Sequence, residues 1–343
     1  MTNLAASRQN ALIAYQVSLV RKMPQGAMPR TDGDVFQSAL IRSMPSGHRA
    51  DLIAARTLPL VLVRMSAIPA NSIKPVTGNS PLSDFVATHR RLFVITGAGC
   101  STDSGIPDYR DAKGEWKRTP PVTYQAFVGE LATRQRYWAR GLIGWRRFGR
   151  ATPNAAHHAL ARLEQQGKLT LLLTQNVDRL HQAAGTRNVI DLHGRMDVVR
   201  CLGCEQRLSR DDFQSEMLSM NSAWAELDAA DAPDGDADLE AQDFSSFKIP
   251  ACPHCGGLLK PDVVFFGENV PRDRVDAGMQ ALHDADAVLV VGSSLMVFSG
   301  YRFVHAAARI GKPIAAVNIG HTRADALLAL KIQQPCAQAL AFL

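Results

Sequence analysis

Short apolar runs punctuate the chain from about residue 81 onward: Leu92–Ile95, Leu169–Leu173, Val288–Val291 and Ile314–Val317. Each ends in glycine or polar turn residues. Continuous runs of this length read as strands buried on both faces. Between them, the spacing of apolar positions predicts helices over 155–165 and 302–310. Alternating strands and helices predict an α/β body with a parallel sheet and crossover helices on both faces. No internal repeat is found.

Two segments break the pattern. Residues 1–80 show no sustained periodicity and are interrupted by Pro24, Pro29, Pro45, Pro59, Pro69 and Pro75. They read as a basic, disordered extension. A targeting segment and upstream sequence ahead of a start at Met65 are the alternatives. Residues 205–247 hold twelve acids against Arg207 and Arg210 alone. Within them, Asp231–Glu240 reads as a flexible, solvated loop. Its acids do not match the spacing of an EF-hand calcium loop.

Composition narrows the class. The 343 residues are 46% hydrophobic and carry a formal net charge of +6. Residues 1–64 contribute eight basic and three acidic side chains, so the remainder is nearly neutral. The body therefore offers no general nucleic-acid face. The run Leu58–Val63 is too short to span a bilayer, and no signal peptide opens the chain. Six cysteines are too few for a disulfide scaffold at this length, which points to a reducing compartment.

Candidate chemistry gathers at strand ends. Gly97-Ala98-Gly99-Cys100-Ser101 follows the first strand, where glycines let backbone approach a pyrophosphate. Alone the signal is weak and reads at least as readily as an ordinary tight turn, since Thr102 stands where a dehydrogenase fingerprint has its third glycine. Asp103–Arg110 follows as a loop able to close over a nucleotide. Gln175, Asn176 and Asp178 follow the second strand, more polar groups than one helix cap requires. His193, in Asp191-Leu192-His193-Gly194, is a candidate general base. Gly292-Ser293-Ser294 and Asn318-Ile319-Gly320 follow two further strands. The strongest spacing is Cys201-x-x-Cys204 and Cys252-x-x-Cys255, separated by 47 residues. Four thiolates with no open position specify one structural zinc, a redox pair being the alternative.

Taken in order, GAGCSTDSGIPDYR, TQNVDRLHQAAG, DLHG, the two Cys-x-x-Cys pairs, KPDVVFFGE, VGSSL and VNIG resemble the sirtuin family of NAD-dependent protein deacylases. The resemblance covers 81–343, and its loop GIPDYRDAKGEWKRTPPVTYQ is similar to the class II-like branch. It implies a Rossmann-like domain with a small zinc module inserted at about 195–260. It implies NAD+ contacts from Gly97, Ala98, Gly99, Ser101 and Thr102, and from Asp108, Tyr109, Arg110, Trp116 and Lys117 in a mobile loop. Further contacts would come from Gln175, Asn176, Val177, Asp178, Gly292, Ser293, Ser294, Asn318, Ile319, Gly320 and Cys336. His193 would be the general base, acting with Asn176 and Asp178. An acyl-lysine peptide would lie between Val264, Phe265, Phe266, Gly267 and Glu268 on one side and Met296 and Val297 on the other. The implied products are nicotinamide, deacylated lysine and O-acyl-ADP-ribose. Mono-ADP-ribosyl transfer to protein is the alternative activity. Glu115, read as facing the acyl group, predicts neutral acyl chains, acetyl or longer. Neither nucleic acid nor membrane is an expected partner. The expected setting is the cytoplasm, with the mitochondrial matrix as the alternative.

Overall fold

The computed structural model describes residues 80–117, 121–239 and 242–343. The expectation for the basic extension falls on residues outside these, apart from Ser80. The first half of the described chain runs α1 (Pro81–Thr88), β1 (Leu92–Thr96), α2 (Tyr124–Gly129), α3 (Leu131–Phe148), α4 (Ala155–Gln165), β2 (Leu169–Thr174), α5 (Leu180–Ala183), β3 (Val189–Asp191) and β4 (Gly194–Cys201). Then come β5 (Arg207–Ser209), α6 (Arg210–Met220), α7 (Ser222–Ala225), β6 (Asp231–Ala232), β7 (Asp236–Ala237) and β8 (Leu259–Val263). The last part is α8 (Arg272–Asp284), β9 (Ala287–Val291), α9 (Phe298–Arg309), β10 (Ile314–Val317), β11 (Leu330–Ile332) and α10 (Cys336–Ala339).

Six of these strands form a sheet in the order β11-β10-β9-β1-β2-β3, parallel throughout. β1 is buried at every position, as its unbroken apolar run demands. Its side chains alternate between two cores. Leu92 and Val94 pack with Leu82 and Val86 of α1 and with Leu160 and Leu163 of α4. Phe93 and Ile95 pack with Leu282 of α8 and Phe303 of α9. Helices thus cover both faces, and all four predicted strands and the helix over 155–165 are in place. α9 begins a turn earlier than its apolar pattern indicates. Gly300 interrupts that pattern, but it packs against Gln175, where a Cβ would meet Nε2 at 2.6 Å. Tertiary packing there outweighs helix propensity.

A second, antiparallel sheet has the order β5-β4-β8. The acidic segment beside it corrects the sequence reading. Over its described residues it folds as β5, α6, α7 and a β6–β7 hairpin, and not as a solvated loop. Phe213, Met217, Trp224, Ala237, Leu239 and Phe247 are buried in a third core with Trp138, Leu142 and Trp145 of α3. The acids cap and pair on the outside of that packing: Asp211 accepts from Trp145 Nε1 at 2.8 Å, and Asp236 binds Arg140. A high acid count concealed apolar residues spaced closely enough to form a core.

Candidate active site

The chain passes from β1 outward to β2 and β3, then returns to place β9 on the other side of β1. Open α/β sheets bind ligands at the carboxyl ends of the strands flanking such a reversal. Here the loops leaving β1 and β9 touch. Gly97 N–H donates to Val291 O at 3.2 Å, and Gly99 N–H donates to Gly292 O at 2.9 Å. Gly292 has φ +62°, and a Cβ on it would lie 2.3 Å from the Cys100 nitrogen. A Cβ on Gly97 would lie 2.8 Å from that of Ser293. The approach leaves a floor of bare backbone, which a pyrophosphate can reach closely.

A cavity of about 500 Å³ opens over this floor. Every residue expected to touch cofactor or peptide lines it, except Ser101, Thr102, Asp178, Gly320 and Cys336. Ser101 and Asp178 stand one layer behind. The Ser101 hydroxyl donates to Asp178 Oδ2 at 2.7 Å and accepts from Asn176 Nδ2 at 2.9 Å. The other Asp178 oxygen accepts from Leu180 N–H at 2.9 Å. Burial pushes the Asp178 carboxyl up, against the pull of these two donors. Asn176 Nδ2 also donates to Gly97 O at 3.1 Å, which ties the polar cluster after β2 to the glycine turn after β1. Cys336 lies beneath that turn, its Sγ 3.5 Å from Gly99 O. Gly320 meets Ala112, whose carbonyl accepts from His321 N–H at 2.8 Å. Thr102 is exposed.

His193 enters the cavity from the turn between β3 and β4. Its Nδ1 lies 3.0 Å from the Gln175 carbonyl oxygen, which can only accept. Nδ1 therefore carries the proton, and Nε2 presents a lone pair. The Ser299 hydroxyl, 2.7 Å away, donates to it. Burial pulls the imidazole down to about 4, reinforced by Arg274 and Arg302 and opposed by the Gln175 carbonyl. The ring is thus neutral at physiological pH, the state a general base requires.

The loop after the glycine turn is a small hairpin in which Arg110 bridges to Trp116. The Arg110 guanidinium stacks 3.8 Å from the Trp116 ring centre and donates to Gly114 O at 2.8 Å. Lys117 pairs with Asp108. Trp116 meets Phe266 edge-on at 5.6 Å between ring centres. Glu115 corrects a further expectation. It is exposed and absent from the cavity wall, so its charge gives no ground for excluding acidic acyl groups.

Sequence reasoning missed one arm of the cavity. It is walled by Tyr137, Trp138, Arg140 and Trp145 of α3, Arg210 of α6, and the hairpin residues Ala232, Pro233, Gly235 and Asp236. Arg210 is buried, with its guanidinium 4.8 Å from the Trp145 ring centre, and burial lowers it to about 10. The amphipathic period of α3 was the only available signal, and it reads as ordinary core. Ser299 and Arg302 also line the cavity, and nothing in their local sequence marks them.

The four paired cysteines converge away from the cavity. Their sulfurs lie within 4.8 Å of one another, with Cys201–Cys255 at 3.5 Å and Cys204–Cys252 at 3.7 Å. A tetrahedral zinc site requires sulfurs about 3.8 Å apart. Backbone N–H groups of Cys204 and Gly203 pull the Cys201 thiol down to about 6. A Cβ on Gly257 would stand 3.0 Å from Cys201 Sγ and 3.1 Å from Cys255 Sγ, so glycine keeps the cradle open. The donor set fits one structural Zn2+. Cys100, His157 and His181 form a second buried cluster. His157 Nδ1 there accepts from Asn154 N–H at 3.2 Å, and His181 Nε2 bonds Thr96 at 2.9 Å. These bonds brace the glycine turn from below.

Fold and site together define a nucleotide-binding α/β protein carrying a four-cysteine metal module. The Sir2 family model matches residues 97–299. An NAD-dependent protein deacetylase of Xanthomonas campestris is 69% identical over 269 residues, spanning 78% of this chain and 92% of that protein. The NAD-dependent protein deacylase Sirt4 of Drosophila melanogaster is 47% identical over 262 residues, spanning 76% and 84%. A solved Sir2 complex with p53 peptide and NAD+ matches with a TM-score of 0.63 at 28% identity, over 77% and 96% of the two chains. The chain belongs to the Sir2 family, the sirtuins.

Proposed function

We infer that this chain is an NAD-dependent protein lysine deacylase, releasing nicotinamide and moving the acyl group from lysine to ADP-ribose. The observation that carries the reading is the neutral His193 imidazole, fixed with its Nε2 lone pair in a cavity floored by the glycine turns. The named activities of relatives up to 69% identical support it.

The residues divide the work. Bound NAD+ supplies a glycosidic bond that breaks with loss of nicotinamide. Gly97–Gly99 and Gly292–Ser294 would accept the diphosphate and adenosine side, where the floor is bare backbone. Gln175 and Asn176 would hold the nicotinamide ribose and carboxamide. Asp178 would act through Ser101, which it anchors. The Tyr109–Lys117 hairpin would cover the site and exclude water. His193 Nε2 would take the proton from a ribose hydroxyl as that oxygen attacks the acyl carbon. Val264–Glu268 and Met296–Val297 would bracket an extended acyl-lysine peptide, pairing with its backbone. The arm beside α3 provides room for acyl chains longer than acetyl. Zinc would hold the 195–260 module within the 81–343 body and take no part in the chemistry. Cysteines without disulfide partners among the described residues suit the cytoplasm.

The test is mass spectrometry of the protein with NAD+ and acetyl-, succinyl- and long-chain-acyl-lysine peptides. Peptide-dependent O-acyl-ADP-ribose is the expected product. ADP-ribose attached to protein, with no O-acyl product, would replace deacylation with transferase activity.

A further inference from the structure

α9 opens with Phe298, directly after the Met296–Val297 strip. Phe298 is 56% exposed, a large apolar ring kept in water beside the cleft. Two arginines lean on it. Arg302, one turn further along α9, holds its guanidinium 5.3 Å from the Phe298 ring centre. Arg323, in the segment after β10, stands 5.8 Å from that ring and 4.4 Å from the Tyr301 ring. Arg323 Nη1 also donates to the Met296 carbonyl at 3.2 Å, which ties it to the strip itself. Phe298 and Arg302 line the cavity, and the exposed Arg323 continues the patch outward.

What the patch lacks is a counter-charge. Neither arginine forms an ion pair among the described residues, and the Arg302 Nε is buried without a hydrogen-bond partner. Asp325, two residues from Arg323, is taken by Lys331 at 2.8 Å and by His321 at 2.9 Å. Across the cleft, Glu268 is taken by Lys260 at 3.1 Å. Stacking on an aromatic ring holds a guanidinium in place and leaves donors in its plane free for a carboxylate.

We propose that Arg302 and Arg323 select substrate proteins with an aspartate or glutamate close to the acyl-lysine, binding that carboxylate as the peptide lies along Met296–Val297. The proposal rests on the peptide track of the deacylase reading and names a substrate class within it. An extended peptide advances about 3.3 Å per residue, so an acidic side chain within about three residues of the lysine reaches the patch. No bond forms or breaks there. The selection therefore falls on peptide affinity and KM and leaves kcat the same from peptide to peptide.

The test is fluorescence anisotropy of labelled acetyl-lysine peptides carrying Glu, Ala or Lys at single positions flanking the lysine. Wild-type protein is expected to bind the best Glu peptide about fivefold tighter than its Ala counterpart, the upper end for ion pairs open to water. The difference should fade at 1 M salt, where the screening length is about 3 Å. Arg323→Glu is expected to reverse the order, so that Lys peptides bind tighter than Glu peptides. Arg302→Gln, which keeps a polar side chain without the charge, should shrink the preference to about twofold. Equal affinity of wild-type protein for Glu and Ala peptides at every position would overturn the proposal. So would equal weakening of all three peptides in Arg323→Glu, which marks a role confined to holding the strip. Failure of the underlying reading looks different: acidic peptides would still bind tighter, but with NAD+ they would yield no O-acyl-ADP-ribose.

Discussion

Arg140 grips Asp236 with two parallel hydrogen bonds, Nε to Oδ1 at 2.8 Å and Nη2 to Oδ2 at 2.7 Å. The pair joins the middle of α3 to a hairpin 96 residues further along the chain. It ties down the acidic segment that composition alone presents as solvated. The Arg140 side chain is 10% exposed and that of Asp236 40%, so the bond is half sheltered. Losing it leaves a buried guanidinium without its carboxylate. Asp236→Ala is expected to cost about 1–3 kcal/mol, below the full penalty for a wholly buried pair. A urea titration reads this as a lower midpoint, and an unchanged midpoint would show that the hairpin does not depend on the pair.

Gly144, one helical turn beyond Arg140, predicts an inversion of the usual helix rule. Alanine in place of a mid-helix glycine ordinarily stabilises by up to about 1 kcal/mol. Here a Cβ would lie 2.2 Å from Gly235 O and 2.6 Å from Asp236 O. The backbone of the hairpin has to move for alanine to fit. Gly144→Ala is expected to lower the melting temperature, with a net cost of about 1–3 kcal/mol. A rise in melting temperature would mean that the hairpin is not seated on α3.

These two positions also show where the sequence was readable and where it was not. The sheet was legible because β1, β9 and β10 are buried at every position, and their apolar runs, like the Leu171–Leu173 stretch of β2 after the half-buried Thr170, are short and continuous. The glycine turns, the polar cluster after β2, His193 and the four cysteines were legible because each chemistry needs a few residue types at fixed spacing. The hairpin was not, because two-residue strands have no period and its acids dominated the count. The arm beside α3 was not, because Trp138 and Trp145 look the same in sequence whether they fill a core or also wall a cavity. Ser299 was not, because its partner His193 is 106 residues away.

The cysteine cluster predicts one zinc per chain and a stability that depends on it. Cys201 and Cys252 are buried in the same core as Phe213 and Leu259, so the metal site and the packing form one unit. Cys252→Ser replaces a soft thiolate with a hard, weakly acidic hydroxyl. Zinc content measured by inductively coupled plasma mass spectrometry is expected to fall well below one per chain, and melting temperature with it. Removal of zinc by a chelator should do the same to the wild type. Cys252→Ser protein with full zinc content and unchanged melting temperature would refute the structural assignment.

The histidines beneath the glycine turn predict a loss of stability in mild acid. Burial holds His157 down at about 4, with a smaller contribution from His158, and burial likewise lowers His181. An unfolded chain has histidines near 6.5. Between those values the unfolded state binds protons that the folded state refuses. Stability from these groups is therefore complete above about pH 6.5 and falls as pH drops toward 4, by up to about 1.4 kcal/mol per pH unit for each histidine. Asp286, whose carboxyl the Arg91 guanidinium holds low, adds its own loss only further into the acid range. Urea midpoints taken from pH 7.5 to 5 should therefore decline before Asp286 titrates. His157→Gln removes one titrating ring and should flatten the decline in proportion. A wild-type midpoint constant from pH 7 to 5 would show that the two rings accept protons in the folded state, contrary to their enclosure beside Ser101 and Thr96.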